Sequence, residues 1–454
     1  MKLGCPGTVA ALAGAFRRAA VAFALASACV LPAHARAAPW LFVSDIHLNP
    51  RAQGADPSPR GSDTNEALLR SAIAEMRRVD PAPPVVVIPG DFLGHNFDRR
   101  YAHATMAHVA DLFGHAFPDA QFVVAMGNED SACGDYVAAP DAPYLADTAA
   151  VWEPLVNRRG AAPDFLRTFA RDGFYTAKLP VPGLRAVVLD DTFWSPLFRV
   201  GCGSTAADGG AEELADLDRA LPPGNPQKSW VLLHIPPGID AGTTVHLTHR
   251  LAVVPFLDGG PRDRLLAILG DRRRNVALAI GGHTHKFAFR LVGADAPDPV
   301  PLLLVPALSP IFRNAPMFLT VDVEPTGTIR RIEEHAFDGE AWRDAGGSRD
   351  LGLREFTGPE LLTLRRRLEG DPGLLAAYAR LYEGGVQSEI TAGNALGYIC
   401  AIDAMNSDEY RRCVGEGGYR FLTGRGVFVV ACAGALVLLG LILATGFVVR
   451  RLPR

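Results

Sequence analysis

The chain has 454 residues, 48% of them hydrophobic and 21% charged, which is enough apolar material for a large buried core and, by length, roughly two to four domain-sized units. That balance excludes a disordered chain. A formal net charge of -4 and a pI near 6.3 leave no basic surface to neutralise phosphates, which argues against nucleic-acid binding.

At the N-terminus, Lys2, Arg17 and Arg18 precede the apolar run AAVAFALASACVLPA, and small residues alternate in AHARAA. Residues 1–35 therefore read as a secretory signal peptide, cleaved after Ala35 or Ala37. A lipoprotein signal ending at Cys29 is the rival, but Ala26 stands where a larger aliphatic residue is preferred.

Over residues 39–325, short β-branched runs alternate with helical stretches, the pattern of a layered α/β fold. Five runs end in polar groups: LFVSDIH (Leu41 to His47), VVVIPGD (Val85 to Asp91), FVVAMGN (Phe122 to Asn128), WVLLH (Trp230 to His234) and VALAIGGHTH (Val276 to His285). TNEALLRSAIAEMRRV, between the first two, has helical spacing and can cross from one strand to the next. Ligands in open α/β sheets bind at strand carboxyl ends, so these five ends are expected to meet in one crevice. They bring carboxylate, amide and imidazole groups and no thiolate, a donor set that suits Zn, Mn or Fe better than Ca or Mg. Singly, each is more often a turn, a cap or a structural histidine; five in order point to a metal site. In GGHTH the double glycine is expected to let the chain turn, so that both histidines face one site.

Asp190 and Asp191 end the strand RAVVL and read as a capping turn, and DGGAEELADLDRAL after them reads as an amphipathic helix on the sheet. His246 and His249 in VHLTHR look like a metal pair but have no third ligand, and read as polar residues near the pocket rim. Residues 326–352 read as a linker and 353–420 as a helical C-terminal subdomain.

The 24 residues Gly426 to Val449 are uncharged and apolar, long enough for a transmembrane helix, and RRLPR follows at once. Arg450, Arg451 and Arg454 place residues 450–454 in the cytoplasm and the body outside. Of seven cysteines, Cys133, Cys202, Cys400 and Cys413 lie in the exported body, where they are expected to be oxidised. Cys400 with Cys413 is the easiest closure, which pairs Cys133 with Cys202. No Asn-X-Ser/Thr acceptor occurs, which leans toward a bacterial envelope and its periplasmic side.

The order DxH, GD, GN, H, GHxH resembles the calcineurin-like metallophosphoesterases over Leu41 to Val323. GDFLGH with its His95, HIPPG, PALSPIF and the later NALGYICAIDAMNSDEYRRC, with its cysteine pair, resemble the acid sphingomyelinase-like phosphodiesterase branch. The resemblance implies a four-layer α/β/β/α sandwich holding two divalent metal ions. Asp45, His47 and His285 would hold one ion, Asn128, His234 and His283 the other, and Asp91 would bridge them. It further implies hydrolysis of a phosphodiester or phosphoanhydride, with a hydroxide between cations about 3.5–4 Å apart as nucleophile. The family usually has His where this chain has Glu129. Three accounts follow: His95 protonates the leaving group, Glu129 does so as a raised-pKa acid, or the chain is a catalytically silent metal- or ligand-binding membrane protein. The expected partners are a phosphate-ester substrate and the membrane, for an otherwise monomeric protein; lipid head group, nucleotide and polyphosphate all remain open.

Overall fold

Apolar runs too short for helices set the framework of the computed structural model, which describes residues 38–415 apart from residues 53, 96, 203–208, 247–252 and 387. Trp40–Phe42 (β1), Val85–Ile88 (β2) and Gln121–Val124 (β3) lie parallel, with Leu41 opposite Val86 and Val87 opposite Val123. β1 and β2 are buried throughout, as strands covered on both faces require. The crossover between them is α1 (Glu66–Val79), whose first turn is capped by Asn65 accepting from Leu68 N at 2.9 Å. Leu68, Leu69, Ala72, Ile73 and Met76 form its buried stripe. Helix α2 (Ala102–Ala116) makes the next crossover, to β3.

After β4 (Val137–Ala138) come α3 (Pro143–Val156) and α4 (Phe165–Asp172), then β5 (Tyr175–Lys178), β6 (Leu184–Val188) and β7 (Arg199–Val200), which pairs with β4. Next are α5 (Gly209–Ala220), β8 (Lys228–Leu232), α6 (Ala241–His246), α7 (Gly259–Asp271), β9 (Val276–Gly281), β10 (Ala288–Val292), β11 (Val300–Leu304) and β12 (Met317–Val323). The second sheet runs β10-β11-β9-β8-β6-β5. It meets the first through Trp230, whose ring lies 5.0 Å from that of Trp40 and 6.0 Å from that of Phe42. Trp230 Nε1 also donates to Gly327 O at 2.9 Å, so this buried indole keeps its one polar atom paired.

The expected linker is corrected by the structure. Within residues 326–352, Ile329–Phe337 (β13) and Trp342–Gly347 (β14) extend the first sheet to the order β14-β13-β12-β1-β2-β3. Charged side chains hid these strands, because IRRIEEHAF breaks simple alternation by burying Glu334 and His335. His335 is accommodated by stacking on Phe318, with ring centroids 4.7 Å apart, and by a 3.1 Å hydrogen bond with Thr320 Oγ1.

The C-terminal part is helical as expected: α8 (Gly358–Leu368), α9 (Pro372–Tyr382), α10 (Ala395–Cys400) and α11 (Ser407–Cys413). Both expected disulfides, Cys133–Cys202 and Cys400–Cys413, are formed. The signal segment 1–35 with Cys29 and Ala35, the alternative cleavage residue Ala37, residues 416–420, the apolar run 426–449, the tail 450–454 and His249 lie outside the described residues, as does the side chain of His246. Among the described residues no helix is long and apolar enough to cross a membrane.

Candidate metal centre

The polar ends of β1, β2 and β3 in one sheet and of β8 and β9 in the other converge where the sheets meet, so the crevice is shared between two sheets. The backbone there is unusual. Asp45 (φ 48°), His47 (φ 44°), Asp91 (φ 57°), His283 (φ 68°) and His285 (φ 61°) all occupy the left-handed region, and they are five of the ten non-glycine residues that do so among the described residues. Such conformations are costly for residues with a Cβ and persist where the surroundings enforce them, typically at functional sites. Here the enforcement is visible in hydrogen bonds between strand exits: Asp45 N to Gly90 O at 3.1 Å, His47 N to Asp91 O at 2.9 Å and Gly282 N to His234 O at 2.9 Å.

This geometry corrects the role assigned to the glycines. The chain turns at His283 and His285 themselves, while Gly282 provides room: a Cβ on it would lie 2.2 Å from Ser44 Oγ. A Cβ on Gly127 would lie 2.2 Å from Asp91 Oδ1.

The seven expected donors form two adjoining groups, and His47 with Asp63 and His95 makes a third that overlaps the first. Asp45, His47 and His285 make one, with His47 Nε2 3.1 Å from His285 Nε2 and His285 Nε2 3.4 Å from Asp45 Oδ1. Asp91, His234 and His283 make the other. Asn128 Oδ1 joins it, 2.9 Å from His283 Nδ1 and 3.2 Å from His234 Nε2. Asp91 Oδ2 lies between the groups, 3.4 Å from His47 Nε2 and 3.1 Å from His234 Nε2. Neighbouring donors on a cation with bonds of about 2.0–2.2 Å are separated by roughly 3 Å, so the donor set fits two such ions. Two imidazoles are already oriented for this: His47 Nδ1 is 2.9 Å from Leu93 O and His234 Nδ1 is 2.7 Å from Pro89 O, which makes each outer nitrogen the N–H and leaves Nε2 facing inward.

Electrostatics agree. Burial pulls His47 down to about 4, and burial together with the His234 charge pulls His283 down to about 3, favouring the neutral imidazole a metal needs. Burial raises Asp45 to about 7 against the opposing pull of His234. Burial also acts to raise Asp91, but the charges of His234 and His47 prevail and hold it below the usual carboxylate range. His234 rises to about 10: burial opposes its charge, and Asp91, Asp45 and Asp191 overcome that opposition. Surroundings that keep a proton on a buried imidazole at that level attract positive charge.

The other two expected site residues are also present. His95 stacks on His47 with ring centroids 4.3 Å apart; its Nδ1 is 2.8 Å from Asp63 Oδ1 and its Nε2 is 3.8 Å from Glu129 Oε1. Burial works against its charge, but the Asp63 hydrogen bond and the carboxylates of Asp63, Glu129 and Asp91 raise it to about 9. Glu129 is only 3% exposed, and Arg99 grips both its carboxylate and its backbone oxygen. Burial, then Asp91 and Asp135, lift Glu129 to about 7, with Arg99 and His95 opposing. Both residues line a cavity of about 480 Å³ that also touches Asp91, Asn128, His283 and His285.

Several supporting residues escaped the sequence reading. Asp130 ends the stretch GNED and accepts from Asp91 N, Gly127 N, Phe92 N and Leu93 N, clamping the loop that carries the shared carboxylate. Of the pair expected as a capping turn, Asp190 does cap, accepting from Thr192 N, whereas Asp191 Oδ1 accepts from His234 N and Ile235 N at 3.1 Å each and so fixes a ligand's backbone. Asp63 sits in a loop and Arg99 opens a single 3-10 turn, Arg99–Tyr101, and neither has a periodicity to flag it.

Comparison with known proteins gives the same direction. The family model described as calcineurin-like phosphoesterase matches residues 38–287, a span containing every ligand candidate. The chain is 23% identical over 439 residues to human acid sphingomyelinase-like phosphodiesterase 3b, covering 85% of this chain and 92% of that protein. It is 24% identical over 295 residues to the mouse protein of the same name, covering 59% and 61% respectively. It is 24% identical over 278 residues to sphingomyelinase phosphodiesterase D of Dictyostelium discoideum, covering 57% and 56%.

Proposed function

This chain belongs to the calcineurin-like phosphoesterase family, a family of hydrolases, and from that premise we propose that it is a two-metal hydrolase of phosphodiester or phosphoanhydride bonds, built as a four-layer α/β/β/α sandwich. The observation that carries the reading is the convergence of seven donor side chains, five of them in left-handed backbone. Asp45, His47 and His285 would hold one divalent cation and Asn128, His234 and His283 the other, with Asp91 placed to serve both. When bound, the pair of cations supplies an activated water and charge stabilisation for the phosphoryl oxygens. His95, held at Nδ1 by Asp63, offers Nε2 as the proton donor for the departing oxygen. Glu129, engaged by Arg99, serves a structural role rather than as the acid.

One observation favours a second reading. Glu129 replaces the imidazole usual in the family, and a chain without that group could bind metal or ligand and turn nothing over. Turnover of bis-(p-nitrophenyl) phosphate by the purified protein with Zn, Mn or Fe decides between the two. Activity that disappears in Asp91→Asn supports the hydrolase, and a metal-loaded protein with no turnover supports the silent binder.

The membrane arrangement belongs to the same proposal: a cleaved N-terminal signal, a single span over 426–449 and a body outside the cytoplasm, on the periplasmic side of a bacterial membrane. It rests on the apolar run and the arginines after Val449. A reporter fused after Arg454 should be active only in the cytoplasm; activity on the outer side would overturn it.

A further inference from the structure

Asn128 is the one amide among the seven proposed ligands, and it has two ends of nearly the same shape. Only the oxygen can bind a cation, so something must decide which end faces inward. Asn128 Nδ2 donates to Asp135 Oδ1 at 2.8 Å. A carboxylate only accepts hydrogen bonds, so it selects the NH2 end and turns Oδ1 toward His283 Nδ1 and His234 Nε2. The reversed amide would set its oxygen against the Asp135 carboxylate.

Asp135 is itself held in place. Tyr136 N donates to Asn128 O at 3.0 Å, closing the loop between ligand and carboxylate. Arg199 fastens that loop from outside, with Nη2 donating to Asp135 O at 2.9 Å and its backbone N to Tyr136 O at 2.8 Å. The Cys133–Cys202 disulfide joins the same two segments covalently. Tyr136 OH also lies 3.4 Å from His283 Nε2, so the loop touches the outer side of two ligands of one cation.

We infer that Asp135 is a positioning residue for one of the two cation sites, acting through Asn128 by fixing the orientation of its amide, and that the disulfide-closed loop exists to hold it there. The inference rests on the two-cation reading above. The test is titration of the purified full-length chain with Mn2+ alone, followed by calorimetry and by the paramagnetic signal of the bound ions. Wild type should bind two ions. Asp135→Ala should weaken one of them by roughly 10- to 100-fold, the usual cost of removing a ligand's supporting partner, and leave the other unchanged. Asp135→Asn, which keeps a carbonyl oxygen able to accept, should recover part of the loss with unchanged thermal stability of the metal-free chain. The discriminating variant is the double one: once Asn128→Ala has been made, adding Asp135→Ala should cost nothing further. Additive losses would mean that Asp135 acts through its own charge, and would overturn the inference while leaving two-ion binding intact. A wild-type chain that binds no Mn2+ would overturn the two-cation reading, and this inference with it.

Discussion

A histidine can deliver a proton to a departing oxygen only if one ring nitrogen is held and the other is free to face it. At His95, Asp63 holds Nδ1 at 2.8 Å while the residue lines the cavity with Nε2 3.8 Å from Glu129 Oε1, whereas Glu129 is occupied by Arg99. The expected consequence is that His95→Ala lowers kcat by about 10²- to 10⁴-fold for substrates with poor leaving groups. Loss with a nitrophenolate leaving group should be much smaller, and equal losses on both would remove His95 from the role. Asp63 should set the pH range of that step. Its hydrogen bond and charge are among the influences that raise His95, and a general acid works only while protonated, so activity should fall as pH rises through the His95 pKa. Asp63→Asn should therefore move the alkaline limb of the kcat/KM profile to lower pH. An unmoved limb would show that another group titrates there.

Among the elements, what could be read in advance followed from periodicity. β2 is a pure apolar run ending in a carboxylate, and α1 shows a helical stripe behind an Asn cap, so strand, crossover and ligand were legible together. The whole proposed ligand set was legible for the same reason, since each ligand lies in the short exit segment after an apolar strand. The supporting carboxylates Asp63, Asp130 and Asp135 were not, because they act through contacts between loops far apart in sequence or through a turn's own amides. β13 was lost for the opposite reason: two of its polar residues, Glu334 and His335, are buried. Glu334 is fully buried there, and neither carboxyl oxygen has a hydrogen-bond partner among the described residues. Burial raises it well above its usual range, with Arg380 opposing, so the folded chain retains a proton that the unfolded chain releases above about pH 4.5. The sign is then fixed. The folded state binds more protons, so this group favours folding at low pH, and its contribution falls as pH rises from the unfolded value toward the folded one. Glu334→Gln keeps the shape without the titration, and should raise Tm more at pH 8 than at pH 5. A uniform shift at both pH values would contradict the assignment.

For the molecule as a whole, the question is why an α/β phosphoesterase fold carries a helical C-terminal segment against the loop of its candidate metal ligands. The segment is fastened to that loop and to the strand after it. Phe287 N donates to Tyr382 O at 3.2 Å and Leu291 N to Ile402 O at 2.8 Å, and the buried Arg290 guanidinium donates to Ala401 O. Tyr378, Tyr382 and Tyr398 supply one wall of the cavity whose floor is the proposed metal centre, so the cavity is incomplete without the segment. A further tie is the buried ion pair between Lys286, next to the candidate ligand His285, and Glu383, each 5% exposed. The second carboxyl oxygen of Glu383 accepts from Glu389 N at 2.6 Å, which carries the connection on to another residue of the cavity wall. Removing one partner of a buried pair leaves an uncompensated charge, so Glu383→Ala should cost about 3–5 kcal/mol in unfolding free energy measured by denaturant on the metal-free chain. Replacing both partners by apolar residues of similar size, Lys286→Met with Glu383→Leu, should recover most of that loss, because a well-packed apolar pair is often no worse than a buried ionic one. The double variant should still lose activity if the pair also sets the angle at which the His285 loop meets the cavity. Glu383→Ala unfolding at the wild-type denaturant concentration would show that the segment is held by its backbone contacts and apolar packing alone.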